Sequence, residues 1–535
     1  MLLKTITFVI LAKVASSDDS LIVDTTGGTI RGFTSSSRSG RQYLSFKGIP
    51  FAKPPIGPLR FKPPEEPLPW SGLRNATEEG PYCLQYVTLV PQPKITGKED
   101  CLLLNVFTPN ATGRLPVLFH IHGGGWSRGD KSNNGPEFMM DQDIVIVNTN
   151  YRLGPLGFLS FEDEVMPGNQ GLKDQLMALR WVKKNIDKFG GDPKRVSLVG
   201  ESAGAASVYH HIVSPLSRGL FSGAIAQSGS SYNVWTLSPP GLAKSRAKRL
   251  ASLLSCPQEA TKEAIACLNG KDPSDIIKEL AHFLEWQVDP YMVFQPTLEP
   301  AGPEAFLTGP ISKWQHAPVP LLIGLNSAEG FVRTKYFLRL KMDFKWFSDN
   351  FEKIAPFSVD YLFSSSNPDE LTKKIKKFYF GEGVITESNW ENVTNLYSDS
   401  WLTAGVMEAA DRHPGDVYFY YFDYLGSTTL APPNRTLAFG ASHGDEMFYI
   451  WNYRYLSYHL TKNEEEFSKK MVKIWTDFTK YGKAISPTST SNWEKWSEEK
   501  HNYMYINNNG FMLKEKLLEE RNTFWKSLNY KDNYE

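Results

Sequence analysis

Val196-Ser197-Leu198-Val199-Gly200-Glu201-Ser202-Ala203-Gly204 joins an apolar run of strand length to a helix-compatible run from Ala205 to Val213. Glycines on both sides of the central residue let a strand turn abruptly into a helix, because neither brings a Cβ into the strained junction. Ser202 then stands at a strand end with its Oγ exposed. A bare G-x-S-x-G recurs by chance in long chains. Its meaning depends on whether the chain also supplies a base, an acid and hydrogen-bond donors.

Working outward, Leu115 to Ile121 and Ile144 to Thr149 are apolar runs of strand length, which read as central parallel strands. Leu172, Leu176, Leu179, Val182, Ile186 and Phe189 recur every three or four residues, with Lys183, Lys184 and Lys188 between them. That spacing predicts an amphipathic helix. Gly190-Gly191-Asp192-Pro193 ends it, and the strand leading to Ser202 begins at once. Gly223 to Gln227, Pro320 to Gly324 and Val417 to Phe422 are further strand candidates separated by helical stretches. The alternation predicts an α/β fold, a large, mostly parallel sheet with helices on both faces. Residues 240 to 310 and 330 to 415 lack clean strands and are expected to form helical insertions that wall a substrate pocket. Prolines crowd the passage from Pro50 to Pro69 and exclude regular sheet interior, so Phe46 to Ala52 is expected to be a loop crossing the molecule.

Serine is a weak nucleophile at neutral pH and needs a base held by an acid. His443, in Ala441-Ser442-His443-Gly444-Asp445-Glu446, follows the strand at 417 to 422, and a strand-end loop would present it beside Ser202. His120 lies inside an apolar strand and reads as a packed core residue. His122-Gly123-Gly124-Gly125-Trp126 follows the strand at 115 to 121. Consecutive glycines let peptide N–H groups turn into a cavity, so Gly124 and Gly125, with Ala203, are the candidate oxyanion donors. For the acid, Glu329 lies just beyond the strand at 320 to 324, and Asp423 at the end of another strand is the alternative. The chain order Ser202, Glu329, His443 is the serine, acid, histidine order of sheet-based hydrolases.

The bulk properties set the context. The 535 residues are 41% hydrophobic, enough for a large core. Fifty-eight basic residues balance 58 acidic ones, which removes the long-range field expected of a nucleic-acid binder. The ligand is then neutral or locally recognised. Residues 1–17 carry Lys4, an apolar stretch from Ile6 to Ala12 and small residues before Asp18, the pattern of a secretory signal peptide. Residues 18–535 are expected to form one catalytic domain. Cys83 with Cys101 and Cys256 with Cys267 are two pairs at short separation, suggesting loop-closing disulfides in an oxidising compartment. Asn75, Asn110, Asn392 and Asn434 each open a glycosylation sequon. No apolar tail or spanning segment signals a membrane anchor. The product is expected to be secreted and extracellular, as a monomer or a homodimer.

Taken together, these motifs resemble the carboxylesterase type-B family, which includes cholinesterases, juvenile hormone esterases and many secreted insect carboxylesterases. The resemblance runs from about Leu21 to Trp525. Glu99-Asp100-Cys101-Leu102, Asn150-Tyr151-Arg152-Leu153-Gly154, Gly168-Asn169-Gln170-Gly171 and Gln227-Ser228-Gly229 are similar to family passages, and both cysteine pairs fall where the family has disulfides. The resemblance implies an α/β-hydrolase fold, no metal or organic cofactor, and a neutral small-molecule ester as substrate, such as a xenobiotic, an odorant or pheromone acetate, or a dietary ester. It places Ser228 near the acid, with a strand-end cap as the alternative. It makes Trp126, Trp235 and Phe294, with Glu201, candidate pocket residues, the large aromatics restricting the acyl group to short chains; core packing is the alternative for Trp235 and Phe294. Two departures narrow the subclass. The loop from Cys83 to Cys101 has no tryptophan to bind a choline cation, and Glu201 stands where juvenile hormone esterases typically have glutamine. Juvenile hormone hydrolysis remains the alternative activity. Family members that act in adhesion, or that sequester esters with slow turnover, are the non-enzymatic alternatives.

Overall fold

The computed structural model describes residues 19–87, 93–431, 439–454, 457–487, 492–528 and 530–534. The expected signal peptide and the Asn434 sequon lie outside these residues. Eleven strands form the main sheet: β1 (Phe33–Ser36), β2 (Gln42–Pro50), β3 (Leu103–Thr108), β4 (Leu115–Ile121), β5 (Val145–Thr149), β6 (Gly191–Glu201), β7 (Gly223–Gln227), β8 (Leu321–Asn326), β9 (Val417–Asp423), β10 (Tyr503–Asn507) and β11 (Gly510–Lys514). Their spatial order is β11-β10-β9-β8-β7-β6-β4-β5-β3-β2-β1. The pairings from β10 through β5 are parallel, and those at both edges are antiparallel. The sheet is therefore mixed, with a parallel centre.

Alternate residues of each central strand enter different cores, as the two-residue period of a strand requires. On β4, Val117, Phe119 and Ile121 join one cluster with Val208 and Ile212 of α2 (Ala203–Val213) and Leu176 and Leu179 of α1 (Gln170–Asn185). Leu118 points the other way, into a cluster with Met471, Ile474 and Trp475 of a 20-residue helix, Lys462–Tyr481. Burial on both faces explains why these strands read as continuous apolar runs.

The segment around Phe46 departs from the sequence expectation. It is not a crossing loop but most of β2, paired antiparallel with β3. The strand absorbs its irregularity at Gly48, which has φ +65° and lies where the register shifts between Phe46 and Ile49. Pro50 takes the last position, where proline is tolerated. The β10–β11 hairpin, closed by Asn508 and Asn509, carries no long apolar run and escapes a periodicity reading.

The two regions without strands are helical. Leu242–Leu253, Thr261–Asn269 and Pro273–Lys278 form the first insertion. The second begins with α3 (Phe331–Arg339) and continues to Ala404–Arg412. A buried ion pair, Arg333 Nη2 to Asp289 Oδ2 at 2.6 Å, ties one insertion to the other. Trp286, Phe337 and Tyr397 ring the guanidinium carbon at 4.9, 4.9 and 5.6 Å from their ring centroids. Disulfides close Cys83–Cys101 and Cys256–Cys267. Asn75 and Asn110 are exposed, whereas the Asn392 side-chain nitrogen donates to the Tyr379 carbonyl and Thr394 of the same sequon is buried. Among the described residues, no helix is long and apolar enough to cross a membrane.

Candidate active site

The parallel strands deliver their C-terminal ends to one rim, because equal register aligns Gly200 with Ile121, Glu201 with Gln227, and Gln227 with Gly324. Ser202 stands at this rim between β6 and α2, with φ 59° and ψ −124°. The strain is sustained by the flanking glycines: a Cβ on Gly200 would lie 2.4 Å from the Gly204 carbonyl carbon, and one on Gly204 would lie 2.2 Å from the Ile121 oxygen. The Ser202 N–H donates to the Gln227 carbonyl at 2.8 Å, which pins the turn to β7.

Glu329 follows β8 and is fully buried. Its Oε1 accepts from the Ser228 hydroxyl at 2.5 Å and the Asn326 N–H at 2.7 Å, and its Oε2 meets His443 Nδ1 at 2.6 Å. The loops carrying Glu329 and His443 are tied by the Ala328 N–H to the Ala441 carbonyl. Asp445 holds the histidine loop in shape by accepting from the Ser442 and Leu430 N–H groups and the Thr429 hydroxyl. Asp423, the alternative acid, is engaged elsewhere: its carboxylate accepts from Ser327 and Tyr505.

His443 lies between two carboxylates, with Glu201 Oε1 3.0 Å from Nε2 and Glu329 Oε2 on Nδ1. Burial alone would push the imidazolium toward its neutral form. The two carboxylates outweigh it and hold the pKa well above the ordinary histidine value. Among the described residues, no hydrogen bond joins Ser202 Oγ to His443, so Nε2 rests on Glu201. Glu446, which the sequence did not single out, lies beneath this pair. Burial, with Glu201 and Glu329 nearby, pushes its carboxyl up to about 8, while Asn326 and Gln227 donate to it. The stretch His443-Gly444-Asp445-Glu446 already contained it; nothing in the spacing distinguished it from a solvated acid.

The glycine loop folds against the serine, for a Cβ on Gly123 would lie 3.2 Å from Ser202 Cβ. Gly124 has φ +109° and Gly125 φ +64°. Among the described residues, neither N–H donates to a protein acceptor, nor does that of Ala203, the first residue of α2. His120 is buried against Trp451, and burial lowers it to about 3.

Ser202, His443, Glu201, Gly124 and Gly125 line one cavity of about 190 Å³. Trp126, Trp235 and Phe294 do not line it. Trp126 donates to Ser207 and packs on Trp235, which donates to the Trp401 carbonyl, and Phe294 packs edge-on against Phe283. Their indole N–H groups need buried acceptors, which draws both tryptophans behind the wall. The wall itself carries charge as well as aromatic surface. Arg128, Tyr291 and Lys335 occupy it, and no motif announced them.

Strand order, helix placement and a serine, acid and histidine that follow β6, β8 and β9 define an α/β-hydrolase fold. The carboxylesterase family profile matches residues 19–525. Esterase FE4 of Myzus persicae is 37% identical over 93% of this chain and 90% of its own length, and a juvenile hormone esterase of Tribolium castaneum is 34% identical over 96% and 94%. The crystal structure of juvenile hormone esterase from Manduca sexta, with OTFP covalently attached, superposes with a TM-score of 0.83 at 29% identity, covering 95% of this chain and 99% of that one. The chain belongs to the carboxylesterase family and is a carboxylic-ester hydrolase.

Proposed function

We propose that this enzyme is a secreted serine carboxylesterase acting on small esters, with Ser202 as nucleophile, His443 as base and Glu329 as the acid that orients it. Residues 18–535 form its catalytic domain once residues 1–17 are removed. The observation that carries the reading is the 2.6 Å contact between Glu329 and His443 Nδ1 in a cavity wall that also presents Ser202.

His443 gives its Nε2 proton to solvent water and turns from Glu201 to Ser202, a contact that substrate tightens in many hydrolases. It takes the Ser202 proton as Oγ attacks the ester carbonyl, and the N–H groups of Gly124, Gly125 and Ala203 hold the oxyanion. His443 then protonates the departing alkoxide, and the alcohol leaves. Water cleaves the acyl-enzyme by the same route and releases the acid. Glu329, itself held by Ser228 and Asn326, keeps Nδ1 protonated and stabilises the imidazolium. The cavity of about 190 Å³ lies below the roughly 300–1,000 Å³ of pockets for drug-sized ligands, which supports short acyl and alcohol groups.

An activity screen across acyl and alcohol chain lengths, with a juvenile hormone included, tests the substrate class. Ser202→Ala should remove turnover by about 10⁴-fold or more while the protein still folds. An organophosphate should add its mass to the Ser202 peptide; near-normal turnover in the variant, or labelling elsewhere, refutes the assignment.

A further inference from the structure

Beyond the groups that carry the chemistry, the cavity wall holds a second set of polar side chains: Arg128, Tyr291 and Lys335. They come from three separate parts of the chain. Arg128 follows the glycine loop, Tyr291 belongs to the first insertion, and Lys335 sits on α3. The Arg333–Asp289 ion pair, two residues from Lys335 and two from Tyr291, fixes the last two relative to each other.

Arg128 Nη2 donates to the Tyr291 hydroxyl, and the guanidinium carbon lies 5.3 Å from the centroid of the same ring. The hydroxyl is an acceptor in this contact, and its own proton has no acceptor among the described residues. Lys335 Nζ has neither a hydrogen bond nor an ion pair among the described residues, and lies 5.7 Å from the Tyr336 ring centroid. The carboxylates in its vicinity are engaged by others: Asp445 by its own loop and Glu201 by His443. Burial lowers Lys335 from the ordinary lysine value, as expected for a cation short of a counterion. Burial alone would raise the Tyr291 phenol, but Arg128 and Lys335 outweigh it and hold it below the usual tyrosine value. An ammonium lacking a counterion, beside a polarised phenol with an unused proton, is a ready site for an anion.

We infer that Arg128, Tyr291 and Lys335 bind a carboxylate carried by the substrate at a point away from the scissile bond, so that the enzyme prefers anionic esters. The inference rests on the ester-hydrolase reading of Ser202 and adds a substrate class to it. The carboxylate takes no part in the bond changes. Water cleaves the acyl–oxygen bond through the acyl-enzyme, one product is the free acid, the other the alcohol, and the bound carboxylate departs unaltered on whichever portion carried it. The net charge of the chain is zero, so the preference is local rather than a product of long-range steering.

The test compares 4-acetoxybenzoate with 4-acetoxybenzamide, which share the acetyl group and differ in charge. Wild type is expected to favour the benzoate about tenfold or more in kcat/KM, mainly through KM, the range of a charge-assisted hydrogen bond. Lys335→Gln should reduce that preference about tenfold, and Lys335→Arg should keep most of it. With wild type alone, 4-hydroxybenzoate should inhibit hydrolysis of the benzamide ester at lower concentration than 4-hydroxybenzamide does. Equal kcat/KM for the two esters, equal inhibition by the two phenols, or a preference unmoved by Lys335→Gln overturns the inference and leaves ester hydrolysis standing. Failure to hydrolyse any ester of the chain-length screen overturns the esterase reading, and the inference with it.

Discussion

Glu201→Gln separates the two carboxylates that hold His443. The Glu201 oxygen lies 3.0 Å from Nε2, and the two side chains are only 15% and 10% exposed. At that separation a unit charge pair is worth about 1.4 kcal/mol in water and about 5.5 kcal/mol at an effective dielectric of about 20. About 1.4 kcal/mol is a tenfold change in an equilibrium, so even the weaker figure is large enough to be read in the protonation of His443. The sign follows from which form the carboxylate favours. Glu201 stabilises the imidazolium, which cannot accept the Ser202 proton; removing its charge lowers the His443 pKa, and the neutral base persists to lower pH. The acid limb of kcat/KM for a small aryl ester should therefore shift down by at least about one pH unit in Glu201→Gln. The assay is a pH profile from 5 to 9 with a substrate that does not titrate, at constant ionic strength. A limb that stays in place, or moves up, would refute the claim that Glu201 controls the protonation of His443 in the working enzyme.

Four further outcomes are expected. Glu329→Gln should lower kcat by about 10³–10⁴-fold, whereas Asp423→Asn, whose carboxylate faces Ser327 and Tyr505, should stay within about threefold; steady-state kinetics on both variants decides which acid serves the histidine. The folded-state pKa of Glu446, about 8, lies above the ordinary carboxylate value, so the folded state binds the extra proton and this group's contribution to stability is lost as pH rises from about 4.5 to 8. Urea midpoints across that window should fall less steeply in Glu446→Gln than in wild type. Arg333→Met leaves Asp289 buried without its partner and should cost about 3 kcal/mol in urea unfolding; adding Asp289→Leu should recover much of the loss. Replacing Cys256 and Cys267 together by serine opens an 11-residue span and should cost roughly 3 kcal/mol by the chain-entropy relation, read as a lowered melting temperature with the pH profile of activity unchanged.

What the sequence shows of this site follows from where each residue sits. Ser202, Glu329 and the glycine loop are legible because each lies at or just beyond the end of an apolar strand run, and His443 because its glycine-flanked loop follows the strand Val417–Asp423. The parallel register then carries those junctions to one rim. Strand β2 is hidden by a rule correctly applied to the wrong end: prolines exclude sheet interior from Pro50 onward, yet the strand is complete by Pro50, and a single bulge at Gly48 accommodates the rest. The cavity wall is hidden for a different reason. Lys335 is one of three cations, with Arg333 and Arg339, on a helix that also carries Phe331, Tyr336 and Phe337, and helical periodicity reports which face is buried without reporting what it is buried against. The same gap leaves Trp126, Trp235 and Phe294 undecided between pocket and core, since a large side chain packed behind the wall and one that fills a substrate cavity look alike in a sequence. Chemistry in this fold is written in local motifs at strand ends. Selectivity is written in the meeting of two insertions, fixed here by Arg333 and Asp289, 44 residues apart in the chain, and it becomes readable only when the packing of those insertions is known.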